Sequence, residues 1–235
     1  MPENLLIPSV DLRVGGLEEY NRQQVEKAAK RRHHKQKAFP TITLSREYGC
    51  EGYPVAERLR DLMAAATGNE WLLMDKALLE EVARHHNLSE EVLRGLGSKN
   101  RILDEVMSTF SSSWKSERDH FKLLCRHIVA LAEKGNVIIV GRGGAIVTHH
   151  LDNCHHFRLY ASLAFKSASI AKRLNMPLDE AESFIEKKQK QRDRFIIDFL
   201  DRDSRDPRYY DMLFNNDRTS PERIAWTIAE HVMKA

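Results

Sequence analysis

The sequence predicts an α/β protein whose core is a mostly parallel β-sheet. Short apolar segments alternate along the chain with longer segments of helical periodicity, which is the pattern of successive β-α-β units. The segment Val137–Val140 is uniformly apolar and β-branched, as expected of a parallel strand that is buried on both faces. A length of 235 residues suits one large domain.

Composition excludes several classes of protein. Hydrophobic residues make up 42% of the chain and charged residues 30%, which excludes wholesale disorder. A formal net charge of +3 does not require a nucleic-acid partner, and we expect none. No apolar run approaches the roughly 18 residues of a membrane span, so no membrane partner is expected. The 3 widely spaced cysteines and the absence of a signal-peptide layout predict free thiols and a cytoplasmic location.

Composition changes once along the chain, near residue 38. Residues 1–38 are only weakly amphipathic and end in a basic run at 30–37, so we expect a helical N-terminal extension. The basic run is typical of a solvated helix end, and a patch for an anionic partner is the alternative. The extension is also a candidate contact between copies of a homo-oligomer. Residues 39–235 form the predicted main domain.

The main domain is predicted to contain five strands separated by helices. The strands are expected at 41–44, 71–74, 137–140, 157–160 and 212–214. Helices are expected at 53–66 and 76–86, in several pieces between 87 and 133, at 163–174 and 178–194, and after Ser220. Gly68 is the expected stop of the first helix, and Ser220 followed by Pro221 is the expected start of the last.

The residues that follow each strand are the candidates for binding, because ligands of open α/β sheets lie outside the carboxyl ends of the strands. Two glycines between the first strand and its helix suit a loop whose N–H groups bind phosphate. The standard loop G-x-x-x-x-G-K-[ST] has Lys and Ser/Thr where this sequence has Tyr53 and Pro54. Residues 45–55 are therefore either a phosphate loop or an ordinary strand-to-helix turn.

Later strands are followed by further polar residues. Asp75 either caps the next helix or takes part in binding. Arg142 stands between glycines without an evident packing reason, and its donors suit a phosphate or a carboxylate. Lys188 and Arg192 share one helix face, which is either a solvated surface or part of the site. Asn215 opens a polar turn against which an adenine could lie.

A histidine-rich segment is a further candidate source of chemistry. His149, His150, Cys154, His155 and His156 lie within eight residues, yet their spacing matches no standard zinc site. We therefore predict no metal site there. The sequence also lacks the G-x-S-x-G motif of a nucleophilic serine.

The segments in their order resemble the cytidylate kinase-like family, a branch of the P-loop nucleoside-monophosphate kinases. The resemblance covers about residues 39–232 and excludes residues 1–38. It rests on the loop ITLSREYGCEG at 42–52, the pair DK at 75–76, IIVGRG at 138–143, LYA at 159–161, R-x-x-F at 192–195, and D-P-x-x-Y-D-x-x-x-N at 206–215.

The resemblance implies a P-loop kinase-like three-layer sandwich. Its five-stranded parallel sheet would have the strand order 2-3-1-4-5, with the first strand in the centre. Helical insertions would form an acceptor-side region at about 76–134, and a lid would lie at about 186–208. The implied donor is ATP with Mg²⁺, and the implied acceptor is a nucleoside monophosphate, CMP or dCMP.

The resemblance also implies roles for individual residues. Nucleotide binding falls to Ser45, Arg46, Tyr48, Gly49, Cys50, Glu51, Gly52, Tyr53 and Asn215. Acceptor binding falls to Asp75 and Arg142, and catalysis to Arg46, Arg142, Lys188, Arg192 and Arg194. Authentic cytidylate kinases keep a loop lysine that this sequence lacks, as the whole cytidylate kinase-like branch does, and Arg46 is the candidate substitute. The chain departs from the pattern of the branch in carrying Cys50 and Glu51 in place of smaller residues. A catalytically weak nucleotide-binding or regulatory module is the alternative function.

Overall fold

The computed structural model describes residues 39–84 and 115–235 of the chain. The predicted extension at 1–38 lies outside the described residues, as do residues 85–114 of the predicted acceptor-side region.

One parallel sheet organises the described part of the chain. It contains β1 (Thr41–Arg46), β2 (Leu72–Met74), β3 (Val137–Val140), β4 (Cys154–Tyr160) and β5 (Met212–Asn215). All neighbouring strands are parallel, and the order is β2-β3-β1-β4-β5. The predicted strand order is confirmed, with β1 in the centre between β3 and β4.

Helices connect the strands and cover both faces of the sheet. In chain order they are α1 (Gly52–Thr67), α2 (Lys76–Arg84), α3 (Lys115–Lys134), the short α4 (Gly144–Val147), α5 (Leu163–Leu174), α6 (Leu178–Leu200), a 3-10 turn (Pro207–Tyr209) and α7 (Pro221–Lys234). The predicted stop at Gly68 and the predicted cap at Ser220 are both present. None of the described helices is both long and apolar enough to cross a membrane.

The core is divided between the two faces of the sheet, which gives three layers. Ile42, Leu44 and Phe157 pack with residues of α1 and α7 on one face. Val137 and Ile139 pack with residues of α2, α3 and α6 on the other. The alternation follows from the strand geometry, in which successive side chains point to opposite faces. The predicted fold class is confirmed.

Several elements extend beyond their predicted bounds, and β1 continues to Arg46, so Ser45 and Arg46 end the strand instead of opening the predicted loop. Helix α6 continues past residue 194 to Leu200 because its last turns are apolar and reach the core, where Ile196 and Leu200 are buried. Strand β4 begins at Cys154 instead of residue 157 because its polar residues find partners. The Nδ1 atom of His156 lies 2.8 Å from the hydroxyl of Thr43, and the His156 N–H donates to Asp211 at 2.6 Å.

The centre and the edge of the sheet should respond differently to truncation. Ile42 is fully buried in β1, whereas Leu213 on the edge strand β5 is 44% exposed. We expect Ile42→Ala to lower the free energy of unfolding by about 2–5 kcal/mol, because it leaves a cavity in a packed core. The control Leu213→Ala should cost less than about 1 kcal/mol. Urea denaturation measures both, and equal losses would contradict this assignment of the core.

Candidate functional site

A cleft of about 520 Å³ opens at the carboxyl ends of β1, β2 and β3. The β1–α1 loop forms one wall, and residues of α6 cover it from above. Its volume lies in the range of small-molecule sites, and its position is the one at which open α/β sheets bind ligands. Seven basic and four acidic residues line the cleft: Arg46, Lys76, Arg142, Arg158, Arg173, Lys188 and Arg192 against Glu47, Asp75, Glu80 and Asp193. This positive excess favours an anionic ligand.

The β1–α1 loop is held against α5. Gly49 has a φ of 96°, and a Cβ at this position would lie 2.7 Å from the Cβ of Lys166. The Lys166 ammonium pairs with the carboxylate of Glu47 at 2.7 Å. Gly49 is therefore required by the close approach of α5, in addition to any role toward a phosphate.

Three N–H groups of the loop are bound by acceptors of the protein itself. The Tyr48 N–H donates to the side-chain oxygen of Gln189 at 2.7 Å, and the Glu51 N–H donates to that of Asn216 at 2.8 Å. The Cys50 N–H makes a longer turn bond of 3.4 Å to the carbonyl of Glu47. A phosphate that used these donors would have to replace the acceptors that now hold them.

Arg46 carries the charge at the centre of the site. Its side chain packs against the backbone of two glycines, Gly141 and Gly52. A side chain at Gly141 would place its Cβ on the Arg46 guanidinium, and one at Gly52 would place its Cβ 3.1 Å from the Arg46 Cγ. Burial and the neighbouring Arg192, opposed by Asp75, lower the pKa of Arg46 to about 9. The lowered pKa shows that the charged form is poorly solvated here, and a bound anion would stabilise it.

Arg192 reaches the loop from α6. Its guanidinium lies 4.6 Å from the ring centroid of Tyr48, and one nitrogen is 3.5 Å from the carbonyl oxygen of Arg46. Burial lowers the pKa of Arg192, and the Tyr48 and Cys50 side chains act in the opposite direction. The basic face of α6 is therefore part of the cleft, because Lys188 also lines it.

Arg142 has packing partners that the sequence did not reveal. It adopts a φ of 55°, forms an ion pair with Glu80 of α2, and lies 4.7 Å from the ring centroid of Phe195. Burial lowers its pKa, and the Glu80 carboxylate opposes that shift. These contacts fix the position of the Arg142 guanidinium before a ligand binds. An incoming phosphate would have to displace the Glu80 carboxylate or bind beside it.

Asp75 caps a helix, as one of its two predicted roles required, and its role in binding stays a prediction. Its carboxylate accepts the N–H of Leu78 at 3.0 Å and so caps α2, and the residue also lines the cleft. The thiol of Cys50 adds no charge to the loop, because burial and the nearby Glu47 raise its pKa to about 12.

The cleft gathers most of the residues that the sequence singled out. Its lining includes Ser45, Arg46, Tyr48, Gly49, Cys50, Gly52, Tyr53, Asp75, Arg142, Lys188 and Arg192. Glu51, Arg194 and Asn215 are not part of that lining. Arg194 is exposed on α6, and the Asn215 side chain accepts the N–H of Asp217 at 3.0 Å. The roles of these residues stay predictions.

Sequence reasoning assigned no role to several polar residues of the cleft, and four of them matter for its contacts: Glu80, Arg158, Arg173 and Gln189. Three of them lie on helices, where charged or polar side chains are ordinary and carry no signal. Arg158 differs, because it lies within an otherwise apolar stretch of β4. An arginine flanked by Phe157 and Leu159 in a buried strand indicates a functional side chain. The sequence analysis missed this signal because it considered only the residues that follow each strand.

The described residues of the cleft form no cage of protein ligands for Mg²⁺. The carboxylates of Glu47 and Glu80 are paired with Lys166 and Arg142, and Asp75 caps a helix. Across residues 39–84 and 115–235, no group of three or more His, Cys, Asp or Glu side chains could hold a metal ion. A Mg²⁺ ion here would depend on nucleotide phosphates and water for most of its ligands.

The contact between Gly141 and Arg46 gives a test of the site. Gly141 and Gly68 both have positive φ, at 81° and 64°, but only a Cβ at Gly141 would meet the Arg46 guanidinium. Alanine at either position should cost about 1–2 kcal/mol of stability through backbone strain. Gly141→Ala should also displace Arg46 and weaken tripolyphosphate binding by about tenfold or more, because a charged contact is lost. Calorimetry on both variants measures this, and equal affinities would contradict the placement of Arg46.

Comparison with known proteins agrees with this architecture. Among solved structures, an uncharacterized protein from Eubacterium ventriosum is 18% identical with a TM-score of 0.64, over 83% of this chain and 99% of that one. A shikimate kinase from Bacteroides thetaiotaomicron is 16% identical with a TM-score of 0.42, over 83% and 99% of the two chains. No curated protein matches. The model of the cytidylate kinase-like family matches residues 41–218, and the chain belongs to that family.

Proposed function

We propose that this protein transfers a phosphoryl group from ATP to a nucleoside monophosphate of the cytidylate type. The observation that carries the proposal is the convergence of Arg46, Arg142 and Arg192 on one cleft beside the glycine-containing β1–α1 loop. Membership of a kinase-like family supports the same reaction class.

Phosphoryl transfer requires the positive charge that this cleft supplies. Phosphoryl transfer spreads negative charge over the equatorial oxygens of the transferred group, and it needs positioning and positive charge more than a covalent nucleophile. Preorganised guanidinium groups provide both functions. Partly buried arginines held by glycine contacts and aromatic rings meet that requirement better than free surface lysines would.

Each arginine has a distinct place in the proposed reaction. Arg46 takes the role of the absent loop lysine, because it is the last residue of β1 and directly precedes the same loop. Arg192 approaches the transferring phosphoryl group from α6, together with Lys188 and Arg194 of the proposed lid at about 186–208. Arg142 binds the phosphate of the acceptor.

The remaining assignments follow the loop and the strand order. Backbone groups from Ser45 to Tyr53 bind the donor phosphates, and Asp75 lies at the start of the acceptor-side helices. Asn215 is the proposed contact of the adenine. Mg²⁺ bound together with the donor would neutralise part of the charge of its phosphates.

Arg46 and Arg192 should matter more for the rate than for binding. We expect Arg46→Ala and Arg192→Ala each to lower kcat by about 10³-fold, since each removes charge from the transferring group, while ATP affinity falls much less. The control Arg60→Ala removes an exposed arginine that pairs with Asp61 on α1, outside the cleft. ADP release with CMP, beside calorimetry with ATP, separates the two effects. Equal losses in kcat and in affinity would refute the proposed catalytic role.

Arg142 should not tolerate lysine. Arg142→Lys keeps the charge but loses the planar group that lies over Phe195 and faces Glu80. We expect a loss of about 1–3 kcal/mol in acceptor binding, which appears as a raised KM for the monophosphate. Unchanged turnover, KM and thermal stability would remove Arg142 from the site.

A nucleotide-binding module without significant turnover is the second candidate function. Two observations favour it: Tyr53 and Pro54 replace the usual loop Lys and Ser/Thr, and loop N–H groups are already bound by Gln189 and Asn216. A screen of ADP release across the common nucleoside monophosphates decides between the two. ATP binding without any monophosphate-dependent ADP release would contradict the kinase proposal and support the module.

A further inference from the structure

Arg158 is a buried cation in the middle of the sheet. It lies on β4 in register with Ser45 of β1 and Leu213 of β5, and only 4% of the residue is exposed. Its neighbours Phe157 and Leu159 point into the apolar core on the opposite face. Arg158 therefore has its side chain on the face that carries the cleft, which it lines.

No carboxylate of the described residues forms an ion pair with Arg158. One of its terminal nitrogens donates to the hydroxyl of Ser45 at 3.0 Å, and its guanidinium lies 5.8 Å from the ring centroid of Tyr210. Both partners are neutral. Arg142, by contrast, has the Glu80 carboxylate beside it. The Asp203 carboxylate is near enough for Arg158 to help lower its pKa, but the two form no direct ion pair. A buried charge that no carboxylate contacts is unfavourable, so an anion bound at Arg158 would complete its surroundings.

The position of Arg158 indicates which anion that is. Asp75 and Arg142 follow β2 and β3, which lie on one side of β1, whereas β4 lies on the other side. Arg158 is therefore on the side of the cleft away from the proposed acceptor residues. Its hydrogen-bond partner Ser45 directly precedes Arg46 at the end of β1, next to the loop proposed to bind the donor phosphates.

The hydroxyl groups around Arg158 do not use all the N–H donors of its guanidinium, so some remain for a ligand. The Tyr210 hydroxyl lies 2.6 Å from the Ser204 carbonyl and 3.3 Å from the Ser45 hydroxyl, so these polar groups form a corner of the cleft. A guanidinium has five N–H donors, and a single hydroxyl acceptor does not use them all. The phosphate oxygens of a polyphosphate match the remaining fork of donors.

We propose that Arg158 binds a phosphate group of the nucleoside triphosphate donor from below the β1–α1 loop. The identification of that ligand as the donor rests on the proposed function. The alternative is a structural role, in which Arg158 only ties β1 to β4 and to Tyr210.

The variant Arg158→Met separates the two roles, because methionine keeps an apolar stem and removes the charge. If Arg158 awaits an anion, the ligand-free variant should unfold at the same urea concentration as wild type or a higher one, since an uncompensated charge is gone. Its affinity for inorganic tripolyphosphate and for ATP should fall by about 10- to 100-fold. The control Arg60→Met removes an exposed arginine outside the cleft and should change neither quantity.

The opposite pattern would overturn the proposal. In that case the Arg158→Met variant would be less stable than wild type but would bind tripolyphosphate with the affinity of wild type. If the variant is both unstable and weak in binding, Arg158→Lys decides. Recovery of at least part of the affinity by lysine supports a phosphate contact, and recovery of stability without any affinity contradicts it. Wild type that binds no tripolyphosphate also contradicts it.

The binding measurement does not depend on turnover. Loss of tripolyphosphate binding in Arg158→Met would support this inference even if no monophosphate acceptor is ever found. Conversely, an active kinase whose Arg158→Met variant binds tripolyphosphate as wild type does would sustain the proposed function and refute the role of Arg158.

Discussion

Positive charge concentrated at the carboxyl end of a buried sheet is the constraint on which the site depends. Burial lowers the pKa of Arg46, Arg142 and Arg192, and repulsion from neighbouring guanidinium groups adds to the shifts of Arg46 and Arg192. Glu80 compensates Arg142 directly, while Asp75 acts on Arg46 without removing the shift. Such a cluster is costly in the empty protein and favourable once an anion enters. The glycine at 141 and the aromatic rings of Tyr48 and Phe195 keep the guanidinium groups close enough for this to matter.

The β1–α1 loop and α6 act as one unit through Tyr48. The ring of Tyr48 lies 5.7 Å from that of Phe184 and 4.6 Å from the Arg192 guanidinium, and its N–H is bound by Gln189. All three partners belong to α6. A phosphate that binds the Tyr48 N–H would therefore replace the contact with Gln189 of α6. The same event would affect the helix that positions Arg192. The missing loop lysine and the basic face of α6 are linked in this way.

The sequence predicted the sheet almost completely because parallel strands and their helices leave strong local signals. The uniformly apolar, β-branched segment Val137–Val140 strongly indicates a buried strand. Gly68 marks a helix end because glycine adopts the left-handed conformation, and Ser220 marks a helix start because its side chain accepts a backbone N–H. Side-chain pairing across the fold left no such signal. Glu80 beside Arg142, Gln189 on the Tyr48 N–H and Arg158 beneath Ser45 join residues that are distant in sequence. Their roles follow only from the strand order and from where α6 packs.

A crystal structure with a non-hydrolysable ATP analogue and CMP tests the central claim most directly. The account predicts the terminal phosphate of the analogue within hydrogen-bond distance, about 2.7–3.2 Å, of the Arg46 and Arg192 guanidinium groups, and the phosphate of CMP at Arg142. It also predicts that the Gln189 side chain has left the Tyr48 N–H wherever a phosphate occupies that position. A complex with the phosphates outside the cleft, or with the three arginines still in their ligand-free contacts, would contradict the account.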